Sequence, residues 1–231
     1  MNLRKLSGPR TSDDWQQLFL QRKALWIHTE NKPHIEVVSF NRSEHRHHIG
    51  TYFNSQVLIG DDTLAEIARD IVLQRIGGPG YVPIYNATKL VGSENRGVPL
   101  FVNELAQVIR EFRGVGGEKL TFSLLNKNRK QKCLIPIGLS INEGDRVIIV
   151  DDAVFTGSTL SSMIDYVRSQ GAEVLCIITV FNGAKFDGID RVPIHYLIKE
   201  PVRIYSKENC PFCREQSRVI FSPRVNWAKL F

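Results

Sequence analysis

Residues 146–160 read RVIIVDDAVFTGSTL, and this stretch decides the fold. Four consecutive aliphatic residues run directly into two carboxylates, Asp151 and Asp152. A turn of small and hydroxylated residues follows, and the apolar spacing beyond it predicts a helix over 159–170. A continuous apolar run of this kind indicates a strand that is buried on both faces, as in a parallel sheet.

The pattern on either side of this stretch alternates between strands and helices. It predicts strands at 89–91, 119–125, 146–150 and 173–181, with helices at 61–76, 98–112 and 159–170. Nearer the N-terminus it predicts a helix over 13–26 and strand-like pieces at 35–40 and 49–53. Such alternation is typical of an α/β fold with an open, mainly parallel sheet and helices on both faces. We expect one domain over 1–231, with N-terminal elements at 1–60, an α/β core at 61–198 and a C-terminal edge segment at 199–231.

The composition is that of a globular protein. The chain has 231 residues, of which 42% are hydrophobic and 23% charged, and its formal charge of +6 suits anionic partners such as phosphorylated metabolites, nucleic acid or an acidic membrane surface. The longest apolar stretch, 174–181, is far shorter than the ~20 residues that a spanning helix needs. The N-terminus has no apolar signal core, so we expect no membrane association and a cytoplasmic location.

The junction after the apolar strand combines an acidic face with an anion site. Ligands of open parallel sheets bind beyond the carboxyl ends of the strands, where Asp151 and Asp152 would lie. Residues 156–159, Thr-Gly-Ser-Thr, would present helix N-terminal N–H groups and hydroxyls to a phosphate. A ribose 5-phosphate matches both features. The alternative is an ordinary turn in which Asp152 caps the helix, but two acids and this hydroxylated turn exceed what a cap requires.

Other phosphate-binding motifs are not supported. Residues 92–97 have the glycine spacing of a Walker A loop, but Val98 and Pro99 replace its Lys and Ser/Thr. No G-x-G-x-x-G follows a strand, which argues against a dinucleotide fold.

The stretch 147–160 resembles the phosphoribosyl-pyrophosphate signature of the type I phosphoribosyltransferases, with Phe155-Thr156 where that family often has two threonines. The chain is most similar to the orotate-specific group. There, HIGTYFN at 48–54 resembles a Ser-Gly…Ser…Tyr-Phe-Asp segment without its Ser-Gly, and CPFCR at 210–214 is similar to a C-terminal Cys-Pro-x-Cys of some members. Residues 92–97 occupy the place of the pyrophosphate loop. Residues 126–132 occupy that of a mobile basic loop, with Asn126 in place of Arg and Lys132 in place of His.

This resemblance implies a fold, a reaction and a set of site residues. The N- and C-terminal segments would form a small hood over the sheet, and the enzyme would transfer ribose 5-phosphate from phosphoribosyl pyrophosphate to a base, orotate being favoured. Mg²⁺ would arrive with the substrate, with Asp151 and Asp152 as possible direct ligands, and the mobile loop would reach the partner's site in a homodimer. The implied catalytic residues are Asp151, Asp152, Lys127 and Lys130; those for ribose 5-phosphate are Asp151, Asp152, Ala153, Thr156, Gly157, Ser158 and Thr159; those for pyrophosphate are Ser93, Glu94, Arg96, Gly97, Arg129 and Lys132; and those on the base side are Tyr52 and Phe53.

Two other functions stay open. The departures from the family pattern lie in base-side and loop segments, which allows a phosphoribosyltransferase of another base specificity. A non-catalytic regulator on the same fold that binds a nucleotide or RNA is the other alternative, and nucleic acid is the less favoured partner. The basic run 126–132 could also be an ordinary solvated loop.

The remaining cysteines and histidines carry no assigned role. Cys210 and Cys213 form one C-x-x-C pair, but structural zinc needs four ligands, and among cysteines only Cys133 and Cys176 remain. A pair of thiols at a turn is therefore favoured over a metal site or two half-sites across a dimer. The basic cluster of Arg42, His45, Arg46, His47 and His48 could bind metal, but a phosphate- or base-facing loop or a solvated bend is favoured.

The basic loop yields a first prediction. Replacing Lys130 by alanine should lower the turnover number more than it weakens the binding of phosphoribosyl pyrophosphate, because the ammonium would act on the departing pyrophosphate. Steady-state kinetics and equilibrium binding measure the two effects, and unchanged turnover would contradict the assignment of this loop.

Overall fold

The computed structural model describes residues 10–38, 46–59, 62–76, 84–94, 97–114, 119–128 and 133–231. Its N-terminal part contains α1 (Ser12–Gln21), β1 (Leu25–Ile27), β2 (His34–Val38), β3 (Arg46–Ile49), β4 (Thr51–Phe53), a 3₁₀ turn (Ser55–Leu58) and α2 (Thr63–Ile76). The central part contains β5 (Lys89–Ser93), α3 (Val98–Arg113), β6 (Thr121–Asn128), β7 (Cys133–Gly138), β8 (Arg146–Val154), α4 (Ser158–Ser169), β9 (Glu173–Asn182), β10 (Gly188–Ile189) and β11 (Val192–Lys199). The C-terminal part contains β12 (Ile204–Tyr205), α5 (Pro211–Arg214), β13 (Val219–Phe221) and a 3₁₀ turn (Trp227–Leu230).

The main sheet has seven strands in the order β10-β11-β9-β8-β5-β6-β7. The five inner strands are parallel, while β10 and β7 pair antiparallel at the two edges. The expected α/β class with a mainly parallel sheet is therefore confirmed. No helix in the described part of the chain has the length and apolar character to cross a membrane.

Strand β8 is covered on both faces, as its apolar run predicts. Ile148 and Val150 belong to the core that α1, α2 and α3 share, whereas Val147 and Ile149 belong to the core under α4. Alternate side chains of a strand point to opposite faces, so both faces of β8 need apolar residues. This explains why the run has no polar residue before Asp151.

A second, smaller sheet joins the two ends of the chain. Its order is β12-β3-β2-β13, with β13 parallel to β2 and the other pairs antiparallel. The C-terminal strands thus occupy the outer positions of a sheet whose centre is N-terminal. This sheet corresponds to the expected hood, and it stands next to the carboxyl end of β8.

Three of the differences between the structure and the predicted elements have a clear physical cause. The first helix ends at Gln21, and Leu25 and Trp26 are buried in β1, because Lys23 has a positive φ of 55° that breaks the helix. The predicted loop after residue 125 begins as strand, since β6 continues to Asn128 and pairs with β7, a strand that the sequence analysis missed. Strand β8 continues through both carboxylates to Val154, because its neighbour β9 extends equally far and pairs with it.

Candidate active site

The site lies at the topological switch point of the sheet, where two connections leave neighbouring strands in opposite directions. From β5 the chain crosses to β6 on one side, and from β8 it crosses to β9 on the other, so a crevice opens between the carboxyl ends of β5 and β8. Ser93 ends β5 and Asp151 lies near the end of β8. The Ser93 hydroxyl donates a hydrogen bond of 3.2 Å to Asp151 Oδ1, and the Asp152 N–H donates to the same oxygen at 3.1 Å.

Asp152 is buried and held by groups from three parts of the chain. Its carboxylate accepts a 2.7 Å hydrogen bond from the Ser55 hydroxyl and a 2.9 Å bond from the Ala153 N–H. An Arg224 guanidinium nitrogen lies 3.1 Å from Oδ2 and 3.4 Å from Oδ1. With only 2% of Asp152 exposed, these partners replace the water that the charge would otherwise need.

Arg224 was missed by the sequence analysis. It follows β13 and lies 72 residues beyond Asp152, so no local motif announces the pair. Its Nε also donates a 3.2 Å hydrogen bond to the hydroxyl of Tyr52. Burial opposes its charge, yet the adjacent Asp152 carboxylate raises the pKa of Arg224 above its ordinary value, so the guanidinium stays charged. Burial also raises the pKa of Tyr52, which keeps the phenol protonated.

The start of α4 has the form expected of a phosphate site. Gly157 has a φ of 74°, and a Cβ added there would lie 2.9 Å from Phe186 and from Ile189, so both conformation and space require glycine. The Thr156 and Ser158 hydroxyls lie 3.1 Å apart at this turn. One cavity of about 170 Å³ is lined by the carboxylates and by this turn, namely Asp151, Asp152, Ala153, Thr156, Gly157, Ser158 and Thr159.

Another part of the cavity wall comes from β3, β4 and the residue after β8, and it is largely aromatic. The rings of Tyr52 and Phe155 are nearly parallel with their centroids 5.6 Å apart, and His47 of β3 lines the same cavity. Phe53 also contributes to the wall, but its ring packs in the core against Phe19 and Phe181. The structure therefore places Tyr52 in the cavity wall beside the carboxylates and gives Phe53 mainly a packing role.

The predicted pyrophosphate residues are only partly within the described chain. Ser93 and Glu94 lie at the end of β5, and the Glu94 N–H donates to the Leu125 carbonyl at 3.2 Å. Gly97 lies against the Ser55 side chain, which leaves no room for a Cβ. The backbone of Lys127 belongs to β6 at the same edge of the sheet. The remaining predicted positions, Arg96, Arg129, Lys130 and Lys132, lie outside the described residues.

Comparison with known proteins agrees with this geometry. Residues 62–200 match the phosphoribosyl transferase domain family, and the chain belongs to that family. Among its relatives, an orotate phosphoribosyltransferase from Carboxydothermus hydrogenoformans is 26% identical over 90% of this chain and 95% of its own length. An orotate phosphoribosyltransferase from Caldanaerobacter subterraneus is 40% identical, but over only 34% of this chain and 41% of the relative.

Relatives with other base specificities are also similar. A hypoxanthine/guanine phosphoribosyltransferase from Methanocaldococcus jannaschii is 30% identical over 71% of this chain and 87% of its own length. In fold, the chain is similar to the crystal structure of orotate phosphoribosyltransferase from Aeropyrum pernix, with a TM-score of 0.55, 18% identity and coverage of 79% and 92% of the two chains. The family thus includes relatives that are named for different acceptor bases.

The Asp152–Arg224 pair yields a stability prediction. From the sequence alone, Asp152→Asn should remove activity with little loss of stability, but the buried pair changes that expectation. Arg224→Met leaves a buried carboxylate without its cation, and should lower the free energy of unfolding by about 3 kcal/mol, the low end for buried pairs because Arg224 is 27% exposed. Urea unfolding followed by tryptophan fluorescence measures the change.

A double-mutant cycle separates the pair from its surroundings. Arg224→Met combined with Asp152→Asn should cost less than the sum of the two single changes, because the double variant leaves no unpaired charge. Arg69→Met, on the exposed face of α2, is the matched control and should have little effect. Strict additivity of the two changes would contradict the coupling.

Proposed function

We propose that this protein transfers ribose 5-phosphate from phosphoribosyl pyrophosphate to a ring nitrogen of a base, with orotate as the favoured acceptor and orotidine 5-phosphate and pyrophosphate as products. The observation that carries the proposal is the shared cavity. Two carboxylates and a glycine-containing helix start, residues 151–152 and 156–159, line the same small space. This arrangement offers acceptors to the ribose hydroxyls and donors to a 5-phosphate.

The residues present suit the charge changes of this reaction. Positive charge grows on the ribose ring as pyrophosphate departs, and carboxylates fixed beside the ring stabilise it. Asp151 is oriented for this task by the Ser93 hydroxyl and the Asp152 N–H. Asp152 is oriented by Ser55 and Arg224, so neither carboxylate needs to reorganise during the reaction. The N-terminus of α4 holds the phosphate at the other end of the sugar.

The site also fits the Mg²⁺ that this family's substrate implies. Hard carboxylate oxygens, Ser93 and the backbone are the nearby donors, which suits Mg²⁺. Because Asp152 is already engaged by Ser55 and Arg224, we expect the ion to be held mainly by the substrate, with Asp151 as the closer protein group. When bound, it would neutralise negative charge on the leaving pyrophosphate.

A neighbouring cavity favours an acidic base. This cavity shares His47, Phe155 and Thr156 with the first one and adds the exposed cationic residues Lys185 and Arg203. Orotate carries a carboxylate that such cations would attract, whereas hypoxanthine and guanine carry none. The aromatic wall would accept either kind of planar ring, so a purine base is the second candidate, supported by the Methanocaldococcus relative.

We further propose that the enzyme is a single-domain homodimer. Pairing between β5 and β6 ends at Ser93, but the β6–β7 hairpin extends beyond that point. Strand β7 forms an edge of the main sheet. Apolar side chains on and next to this hairpin are exposed, including Ile137 at 44% and Leu139 at 57%. A second copy packed on this edge would cover them and bring the basic loop near the neighbouring site.

Direct assay tests the reaction. The full chain is incubated with phosphoribosyl pyrophosphate, Mg²⁺ and one of orotate, hypoxanthine, guanine or adenine, and nucleotide formation and pyrophosphate release are measured. We expect turnover with orotate, and a loss of about 10²-fold or more in Asp151→Asn. Asp165→Asn, on the exposed face of α4, should retain activity. Turnover with a purine alone would refute the acceptor, and turnover with none of the bases would refute the activity.

The acidic-base assignment has its own test. Lys185→Met and Arg203→Met should each raise the KM for orotate about tenfold, the low end for hydrogen bonds to charged groups because both side chains are exposed. The KM for phosphoribosyl pyrophosphate should stay the same. Lys119→Met, at an exposed position two residues before β6, is the control. An unchanged KM for orotate in both variants would place the base elsewhere.

A further inference from the structure

Four side chains of the types that ligate metals converge at the hood sheet, away from the cavity that contains Asp151 and Asp152. They are His34, His48, Cys210 and Cys213, and their ligand atoms all lie within 4.8 Å of one another. None of them lines the cavity that contains Asp151 and Asp152. Three of the four are buried, and Cys213 is partly so. We propose that these four side chains bind one Zn²⁺ ion in a closed structural site.

The distances among His34, His48 and Cys213 suit a single tetrahedral ion, and the Cys210 sulfur lies within 4.8 Å of all three ligand atoms. Zinc bonds of ~2.3 Å to sulfur and ~2.05 Å to nitrogen, at tetrahedral angles, separate two nitrogens by ~3.3 Å and a nitrogen from a sulfur by ~3.6 Å. In the structure His34 Nε2 and His48 Nδ1 are 3.1 Å apart. The Cys213 sulfur is 3.2 Å from His48 Nδ1 and 3.5 Å from His34 Nε2. Two thiols and two imidazoles are a donor set that zinc prefers.

The second nitrogen of each histidine has a polar neighbour. Ser217 donates its hydroxyl proton to the Lys32 carbonyl at 2.8 Å, so its oxygen is left to accept from His34 Nδ1 at 3.0 Å. That hydrogen bond places the proton on Nδ1 and directs the Nε2 lone pair to the cluster. On the other histidine, Nε2 faces Glu36 Oε2 at 3.5 Å. Hydroxyls and carboxylates in these positions are the usual supports of zinc-bound histidines.

The fold explains why these residues meet. Glu36 in β2 is paired with His48 in β3, and His34 lies two residues before Glu36, so all three share one face of the hood sheet. The C-x-x-C turn at α5 is seated on that face by Phe212. The centroid of the Phe212 ring lies 4.4 Å from that of the His28 ring. A Cβ added at Gly50 would lie 2.8 Å from a carbon of the Phe212 ring. The turn is therefore positioned by packing as well as by any metal.

The metal site would fix the segment that carries Arg224. The C-x-x-C turn precedes β13, and Arg224 follows β13 on its way to Asp152. A zinc ion that ties this turn to β2 and β3 would hold the start of the segment, while β13 pairing with β2 holds its middle. The ion would thus stabilise the hood without taking part in chemistry. This inference about metal binding stands independently of the proposed reaction.

A redox-active pair is the main rival for a C-x-x-C turn. A disulfide between Cys210 and Cys213 would remove both thiolates and leave the two histidines without a metal. In the structure both cysteines are free, and the histidine lone-pair atoms lie at ligand distances. The two alternatives differ in metal content and in thiol count, which experiments can measure directly.

The experiment uses the full untagged chain, purified in reducing buffer without chelator. Elemental analysis should find about one zinc per chain. A mercurial reagent, which binds cysteine thiolates, should displace this zinc. Replacement by Co²⁺ should give thiolate charge-transfer and visible bands of a tetrahedral site. Absence of zinc after reconstitution under reducing conditions, recovery of a Cys210–Cys213 disulfide as the stable form, or an octahedral cobalt spectrum would each overturn the proposal.

Variants identify the ligands. Cys213→Ser and His48→Gln should weaken Zn²⁺ affinity at least 100-fold, and Ser217→Ala about tenfold through its loss of support for His34. Cys176→Ser in β9 and His195→Gln in β11 are matched controls that should keep the ion. Should a ligand variant fail to fold, treatment of the unmodified chain with EDTA should still lower its melting temperature. Full zinc content in folded Cys213→Ser, or a melting temperature insensitive to zinc removal, would refute the site.

Discussion

A buried carboxylate is the constraint around which this molecule is organised. Strand β8 is apolar on both faces and carries Asp152 two residues before its end. Only 2% of Asp152 is exposed, so its charge must be balanced by the protein. Ser55 comes from the turn after β4, and Arg224 comes from the far end of the chain. The need to balance one charge therefore joins the core, the N-terminal segment and the C-terminal segment. It also fixes the carboxylate beside the turn at the start of α4.

The hood has two connections that serve this same end. Arg224 links it to the core through Asp152 and Tyr52, at the edge of the cavity. The cluster of two histidines and two cysteines lies on the other side of the same segment and would hold the C-x-x-C turn to β2 and β3. One connection is an ion pair next to the cavity lined by Asp151 and Asp152, and the other is a proposed zinc site away from it. Together they would give a short C-terminal segment with few strands a defined position.

The elements that could be predicted are those whose signal is local. The apolar run of β8, the spacing of α4 and the stripe of α3 each determine an element through neighbouring residues. The elements that were missed depend on partners. The local sequence predicts a helix at Leu25 and Trp26, but these residues form β1 because they pair with β4. Strand β7 likewise forms because it pairs with β6 at the edge of the sheet. The last residues of β8 form strand because β9 continues alongside them.

The sequence by itself determined the α/β class, the family and the junction of carboxylates with a hydroxylated turn, because these depend on residues that lie next to one another along the chain. The prediction that Asp151, Asp152 and residues 156–159 lie together needed no long-range information, and the structure shows them lining one cavity. Only the tertiary structure decided that Arg224 neutralises Asp152, that Phe53 is a core residue, and that His34 and His48 meet Cys210 and Cys213. Within the histidine–cysteine cluster, these contacts join residues up to 179 positions apart, as between Cys213 and His34. Such contacts are set by sheet pairing and burial, which no short stretch of sequence records.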